Sequence, residues 1–150
     1  LAVNVKGVSN CSQAVIPFML EQGEGSIINI SSLAGTGAME GIPACYTASK
    51  FAVIGLTKQL AVNYAKNRIR VNAVAFGSVM SASLQAAMVE HSDWRDEIEE
   101  KTPLGRVAGP GELVDAVQFL ASDASAFMTG EVVTVDGGRS LLDPISAPAH

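Results

Sequence analysis

Three short runs rich in β-branched residues, separated by longer stretches of helical period, constrain this chain more than any other feature. Ser26 to Ile30 carries Ile27, Ile28 and Ile30; Val71, Ala73, Val74 and Ala75 form a second run, and Val132, Val133 and Val135 a third. Runs apolar on both faces suit a sheet covered on both sides, and strands alternating with helices imply a parallel sheet with crossover connections. The spacing predicts a helix over Thr47 to Asn67, with Ala52, Leu56 and Leu60 aligned on one face and the small Ala48, Ala52 and Gly55 allowing close approach. A second helix is predicted over Gly111 to Ala121, where Leu113, Ala116, Val117 and Leu120 repeat the pattern behind Pro110. Right-handed crossovers then place the three strands side by side.

Leu1 to Leu20 is also helical in pattern, and Pro17 is expected to kink or loosen it because proline cannot donate its backbone hydrogen bond. No strand precedes this helix, and three strands make a small sheet with an unpaired edge, so further sequence is expected upstream. Ser78 to Val107 has weak periodicity, with Met80, Leu84, Met88 and Trp94 among Ser, Asp and Glu; such excursions are often lids or substrate walls. Its mixed apolar and acidic character speaks against a strongly anionic substrate. The end of the chain, residues 139–150, reads as an extended or disordered C-terminal arm.

With 150 residues and nearly half of them apolar, the chain can build one substantial core and is expected to form a single domain. A formal charge of -5 without any Lys/Arg cluster argues against nucleic acid and against an anionic lipid surface as partners. No apolar run approaches the roughly 18 residues of a membrane helix, and no basic-then-apolar leader pattern opens the chain, so no membrane partner and a cytoplasmic location are expected. Cys11 and Cys45 have neither metal-ligand spacing nor the density of a disulfide framework; they read as reduced thiols, and no metal site is expected.

Chemistry enters with Tyr46 and Lys50 in Y-T-A-S-K, one helical turn apart and therefore on one face. A cation held beside a phenol favours its ionised form, which lets such a tyrosine exchange a proton with an alcohol or carbonyl. Taken alone the pair is a weak signal, because chance helices supply it often. Upstream, however, G-S-I-I-N-I-S-S-L-A-G sets Ser31 and Ser32 just beyond the carboxyl end of a buried strand, where open α/β sheets bind ligands. A hydroxyl there can donate to a substrate oxygen as negative charge develops on it.

These motifs, together with N-V-K-G at Asn4 to Gly7, R-V-N-A-V-A-F-G at Arg70 to Gly77 and M-T-G-E-V-V-T-V-D-G-G at Met128 to Gly138, resemble the single-domain short-chain dehydrogenase/reductase family from Leu1 to about Gly138. The resemblance implies an α/β fold, a Rossmann-like doubly wound parallel sheet of which this chain would hold the last three strands with their helices. It also implies NAD or NADP as cofactor, and interconversion of a secondary alcohol and a ketone, or a 3-oxoacyl-type carbonyl, by hydride transfer. In that reading Tyr46 is the general acid/base, Lys50 assists it and holds the nicotinamide ribose, and Ser32 orients the substrate oxygen. Asn4 matches an asparagine whose backbone holds a proton-relaying water. Gly77, Val79 and Ser81 match residues at the nicotinamide, with Ser81 standing for a more usual threonine. Asn72 and Asp136 match positions that stitch the structure together.

Ser32 rather than Ser31 is chosen because it stands three before Gly35, although its separation from Tyr46 is one residue longer than the family's usual spacing; an added residue between Thr36 and Ala44 would account for this. Phe76 replaces the family's usual proline and removes a restraint on the turn beside the nicotinamide. The family's glycine-rich turn, which receives the cofactor pyrophosphate at a helix N-terminus, has no counterpart among these residues and is expected upstream. Relatives assemble as homodimers or homotetramers through helices matching Leu1 to Leu20 and Thr47 to Asn67. Two other readings stand beside this one: a truncated, non-catalytic module of the same fold that binds a partner, and a related epimerase or dehydratase, which the V-D-G-G ending near the terminus disfavours.

Overall fold

A computed structural model describes residues 1–142. Three strands, β1 (Gly25–Ile30), β2 (Ile69–Phe76) and β3 (Val132–Val135), form one parallel sheet in the order β1-β2-β3. The register pairs Gly25 with Ile69 through Ile30 with Val74, and Ala73 with Val132 through Phe76 with Val135. β2 lies in the middle, and from Val71 to Ala75 its residues are sealed from solvent, as expected for a strand covered on both faces.

Helices cover the two faces according to the alternation of side chains along the strands. On one face Ile69 and Val71 pack with Ala61 and Leu60 of α2 (Ala44–Tyr64) and Met19 of α1 (Val8–Gln22). On the other, Val74 and Phe76 pack with Leu113, Val117 and Leu120 of α5 (Pro110–Ala121). The apolar positions expected of this last helix are those that meet the core. The sheet is doubly wound.

Two helices depart from the expected pattern. The fully buried row of α2 is Ser49, Val53, Thr57 and Ala61, one position on from the expected Ala52, Leu56 and Leu60. Two hydroxyls enter this row because each finds a partner: Thr57 donates to the carbonyl of Val53 at 2.8 Å and accepts from Asn29 of β1 at 2.9 Å. Buried polar groups so satisfied carry little penalty, whereas an apolar count overlooks them. In α1 the helix runs through Pro17 to Gln22 and ends on Gly23 in the left-handed conformation. The carbonyl orphaned by Pro17 belongs to Gln13, on the exposed side. The irregularity lies at the start instead, where Ala2–Gly7 form a π-helical turn leading into α1.

The weakly periodic excursion holds two short helices, α3 (Ala82–Glu90) and α4 (Trp94–Glu100). Of the expected C-terminal arm, Arg139–Leu141 form a 3-10 turn, and residues 143–150 lie outside the described residues. No described helix is long and apolar enough to cross a membrane.

Candidate active site

Of the expected site residues, Ser32, Tyr46 and Gly77 line one cleft beyond the carboxyl ends of β1 and β2. Beyond β1 the chain passes Ser31 and Ser32 into a 3-10 turn at Leu33–Gly35. The two serines divide the work. Ser31 is buried and donates to the carbonyl of Lys50 at 3.1 Å, tying β1 to α2. Ser32, in extended backbone, accepts from the N–H of Ala34 at 3.3 Å and faces a cleft of about 350 Å³.

Tyr46 faces the same cleft from the first turn of α2, whose opening N–H groups at Tyr46 and Thr47 both donate to the carbonyl of Pro43 at 2.9 and 3.2 Å. Met39, Ile42 and Pro43 supply apolar wall from the loop between the 3-10 turn and α2, the loop where added length was expected. Gly41 turns that loop with φ of 75°, a conformation open to glycine at little steric cost. The opposite wall is Phe76, Gly77 and Ser78 at the end of β2.

One turn beyond Tyr46, the ammonium of Lys50 lies 5.6 Å from the centre of the tyrosine ring and donates to the carbonyl of Ile30 at 3.1 Å. Lys50 lines a second, adjoining groove of about 560 Å³, together with Asn4. Asn4 donates through Nδ2 to Ser49 Oγ at 3.0 Å, and Ser49 donates to the carbonyl of Tyr46 at 2.6 Å. The π-helical turn is thereby fastened to the first turn of α2, and the tyrosine backbone is held from behind. The serine of Y-T-A-S-K is a member of this arrangement that motif reading passed over; its place one before Lys50 was the only signal.

Gly77, Val79 and Ser81 occupy different surroundings. A Cβ at Gly77 would come within 2.9 Å of Asp136 Cα, so the ends of β2 and β3 close together only over a glycine. Phe76, in the place of the usual proline, packs into the core with Val74 and Leu120 while also reaching the cleft. Val79 lines neither cavity; it packs toward the same core and pairs with Ala108. Ser81 likewise lines neither, and its hydroxyl caps α3 by accepting from the N–H of Leu84 at 3.2 Å.

The two expected stitching residues bind backbone. Asn72 donates to the carbonyl of Met128 at 2.9 Å and accepts from the N–H of Glu131 at 3.0 Å. Asp136 accepts from the N–H groups of Gly138 and Ser140 at 2.9 and 2.7 Å. Partial burial pushes its carboxyl up, but the hydrogen bonds from Ser140 and Gly138 outweigh that and hold it below the ordinary carboxylate range. Among the described residues no cluster of His, Cys, Asp or Glu could hold a metal ion.

A serine and a tyrosine walling one cleft, with a lysine beside the tyrosine ring and an asparagine behind it, can be compared with known proteins. The family model described as enoyl-(acyl carrier protein) reductase matches residues 1–140. The chain belongs to the short-chain dehydrogenase/reductase family. Among relatives in this family, the 3-oxoacyl-[acyl-carrier-protein] reductase FabG of Thermotoga maritima is 43% identical over 136 residues, which are 91% of this chain and 54% of that protein. The 2-(S)-hydroxypropyl-CoM dehydrogenase 3 of Xanthobacter autotrophicus is 40% identical, over 95% of this chain and 56% of its own length. Of solved structures, a gluconate 5-dehydrogenase from Burkholderia cenocepacia in complex with NADP and tartrate superimposes with a TM-score of 0.87 at 39% identity. That match covers 94% of this chain and 55% of the other. The chain therefore spans about half the length of the short-chain dehydrogenases/reductases it matches.

Proposed function

We propose that this chain carries the proton-transfer end of an NAD- or NADP-dependent oxidoreductase that interconverts a secondary alcohol and a ketone, or a 3-oxoacyl-type carbonyl. The observation that carries this reading is the placing of Ser32 and Tyr46 on one cleft with the Lys50 ammonium 5.6 Å from the tyrosine ring. Relatives named as a 3-oxoacyl reductase, a gluconate 5-dehydrogenase and an aldohexose dehydrogenase support the reaction class, and solved relatives holding NADP or NAD support the cofactor.

The residues present fit the nicotinamide end of such a cofactor. Lys50 lines the groove with Asn4 and uses one of its three N–H donors on Ile30, which leaves two that could hold ribose hydroxyls. When bound, the cofactor supplies or accepts the hydride at the substrate carbon. The work of the chain is positional and protonic. In the reducing direction Ser32 donates a hydrogen bond to the carbonyl oxygen as charge develops on it, and Tyr46 gives its hydroxyl proton to that oxygen, leaving an alcohol. The nearby ammonium stabilises the phenolate that remains. The bonds through Ser49 and Asn4 keep Tyr46 from drifting as its charge changes.

A homodimeric or homotetrameric assembly and a cytoplasmic setting belong to the same proposal. Exposed apolar side chains on α1 and α2, Phe18 at 71% and Val62 at 77% exposed among them, support contact between copies. The test is Tyr46→Phe, with reduction of a 3-oxoacyl thioester followed at each of several pH values and binding of NADH and NADPH measured by calorimetry. Turnover is expected to fall by about 10²- to 10⁴-fold with cofactor binding kept. Unchanged turnover would remove Tyr46 from the chemistry.

A further inference from the structure

The cleft has a cation behind its far wall. Ser78 lines the cleft on the side of β2, and its Oγ accepts from Nη1 of Arg139 at 3.1 Å. A guanidinium carries five N–H donors in a planar fork, so this one bond leaves most of its donors for a ligand. That fork matches the two oxygens of a carboxylate.

Arg139 is held on a stiff support. It follows Gly137 and Gly138, whose φ values of 64° and 88° suit glycine, and the turn is closed by the Asp136 carboxylate accepting from Gly138 and Ser140. The N–H of Leu104 donates to the carbonyl of Gly137 at 3.1 Å and braces the turn from outside. Among the described residues Arg139 forms no ion pair. Glu97 lies within reach of its field, but the Lys101 ammonium holds that carboxylate at 2.6 Å. The expectation that the cleft disfavours anions came from residues 78–107 alone, whereas this charge is delivered from beyond β3.

We propose that Arg139 is a specificity-determining residue, binding a carboxylate or similar small anion on the same substrate whose carbonyl or alcohol oxygen meets Ser32 and Tyr46. The inference rests on the oxidoreductase reading for the second half of that statement and not for the first. Arg139 does not itself line the cleft of about 350 Å³; the oxo group of a short oxo acid would lie in the cleft and its acid group would extend past Ser78 to the guanidinium. A guanidinium set behind a neutral serine also favours such an acid over its ester, because only the acid carries the complementary charge.

The experiment uses 4-oxopentanoate and 5-oxohexanoate, each against its methyl ester, with the full chain and added NADH or NADPH. Binding is read by calorimetry and turnover by cofactor absorbance. For at least one pair the acid is expected to bind roughly tenfold or more tightly than the ester, the scale of one charge-assisted hydrogen bond. That ratio should fall to about one in Arg139→Met and take an intermediate value in Arg139→Lys, which keeps the charge but not the fork. Where turnover is seen, the acid preference should sit in KM rather than kcat. No acid preference in the unaltered protein overturns the inference. So does a preference that survives Arg139→Met, including one in which acid and ester weaken in parallel, since Arg139 would then act only as a tie to Ser78. An acid preference that depends on Arg139, in a protein that turns over none of the four compounds, upholds the anion site and counts against the oxidoreductase reading instead.

Discussion

A Cβ at Gly35 would stand 2.5 Å from Ser31 Oγ and 2.8 Å from the carbonyl oxygen of Lys50. The backbone φ there is not in the left-handed region; the glycine is required by proximity. It lets the turn after β1 lie directly on α2, which brings Ser32 and Tyr46 to one cleft. Because one of the obstructing atoms is helix backbone, Gly35→Ala must push the turn and the helix apart. The expected destabilisation is about 1–3 kcal/mol, read as a lower urea midpoint with unchanged slope, accompanied by weaker catalysis from the displaced serine. Motif reading chose Ser32 over Ser31 from its distance to Gly35. The reason the other serine is occupied, its bond to the Lys50 carbonyl, depends on two segments that meet only on folding.

At the scale of elements, α5 begins with half of a reciprocal cap. Glu112 reaches back to accept from the N–H of Gly109 at 2.7 Å, but Gly109 has no side chain to return the bond. Arg106 takes the place of that return, forking onto both oxygens of Glu112 at 2.8 and 2.6 Å. The Arg106 hydrogen bond first, and the Gly109 N–H second, hold the Glu112 carboxyl at about 2 against an ordinary 4.5. A carboxyl depressed in the folded state stabilises it fully above the unfolded value and loses that contribution as pH falls through the folded one. Melting temperatures of the unaltered protein and of Glu112→Gln are therefore expected to differ near neutrality. They should converge as pH is lowered from 4.5 toward 2. A gap independent of pH over that range would contradict the cap. The apolar face of α5 was legible because nothing but Leu, Ala and Val meets the sheet there, whereas the buried row of α2 was displaced by one residue because Ser49 and Thr57 are polar groups with partners on other elements.

Across the whole molecule, β2 joins the parts. Asn72, sealed from solvent, binds the carbonyl of Met128 and the N–H of Glu131. The neighbouring N–H of Val71 donates to Thr129 Oγ1 at 3.1 Å, and the N–H of Gly130 donates to the carbonyl of Val71 at 2.7 Å. Residues 128–131 are thus clamped before β3 begins. Asn72→Ala leaves a backbone donor and an acceptor without partners and is expected to cost about 1–3 kcal/mol, with faster hydrogen exchange at Glu131 and along β3 before it is seen in β1. Uniform exchange across all three strands would show that the clamp is not local.

The sequence by itself determined the parallel three-stranded arrangement, the faces of α5 and the Tyr46–Lys50 turn, because each rests on a period of two or 3.6 residues that neighbours along the chain display. Tertiary structure alone decided that Asn4 reaches Tyr46 through Ser49 and that Arg139 stands behind Ser78. Each of these needs a hydrogen bond between segments remote in sequence, whose geometry no local pattern encodes.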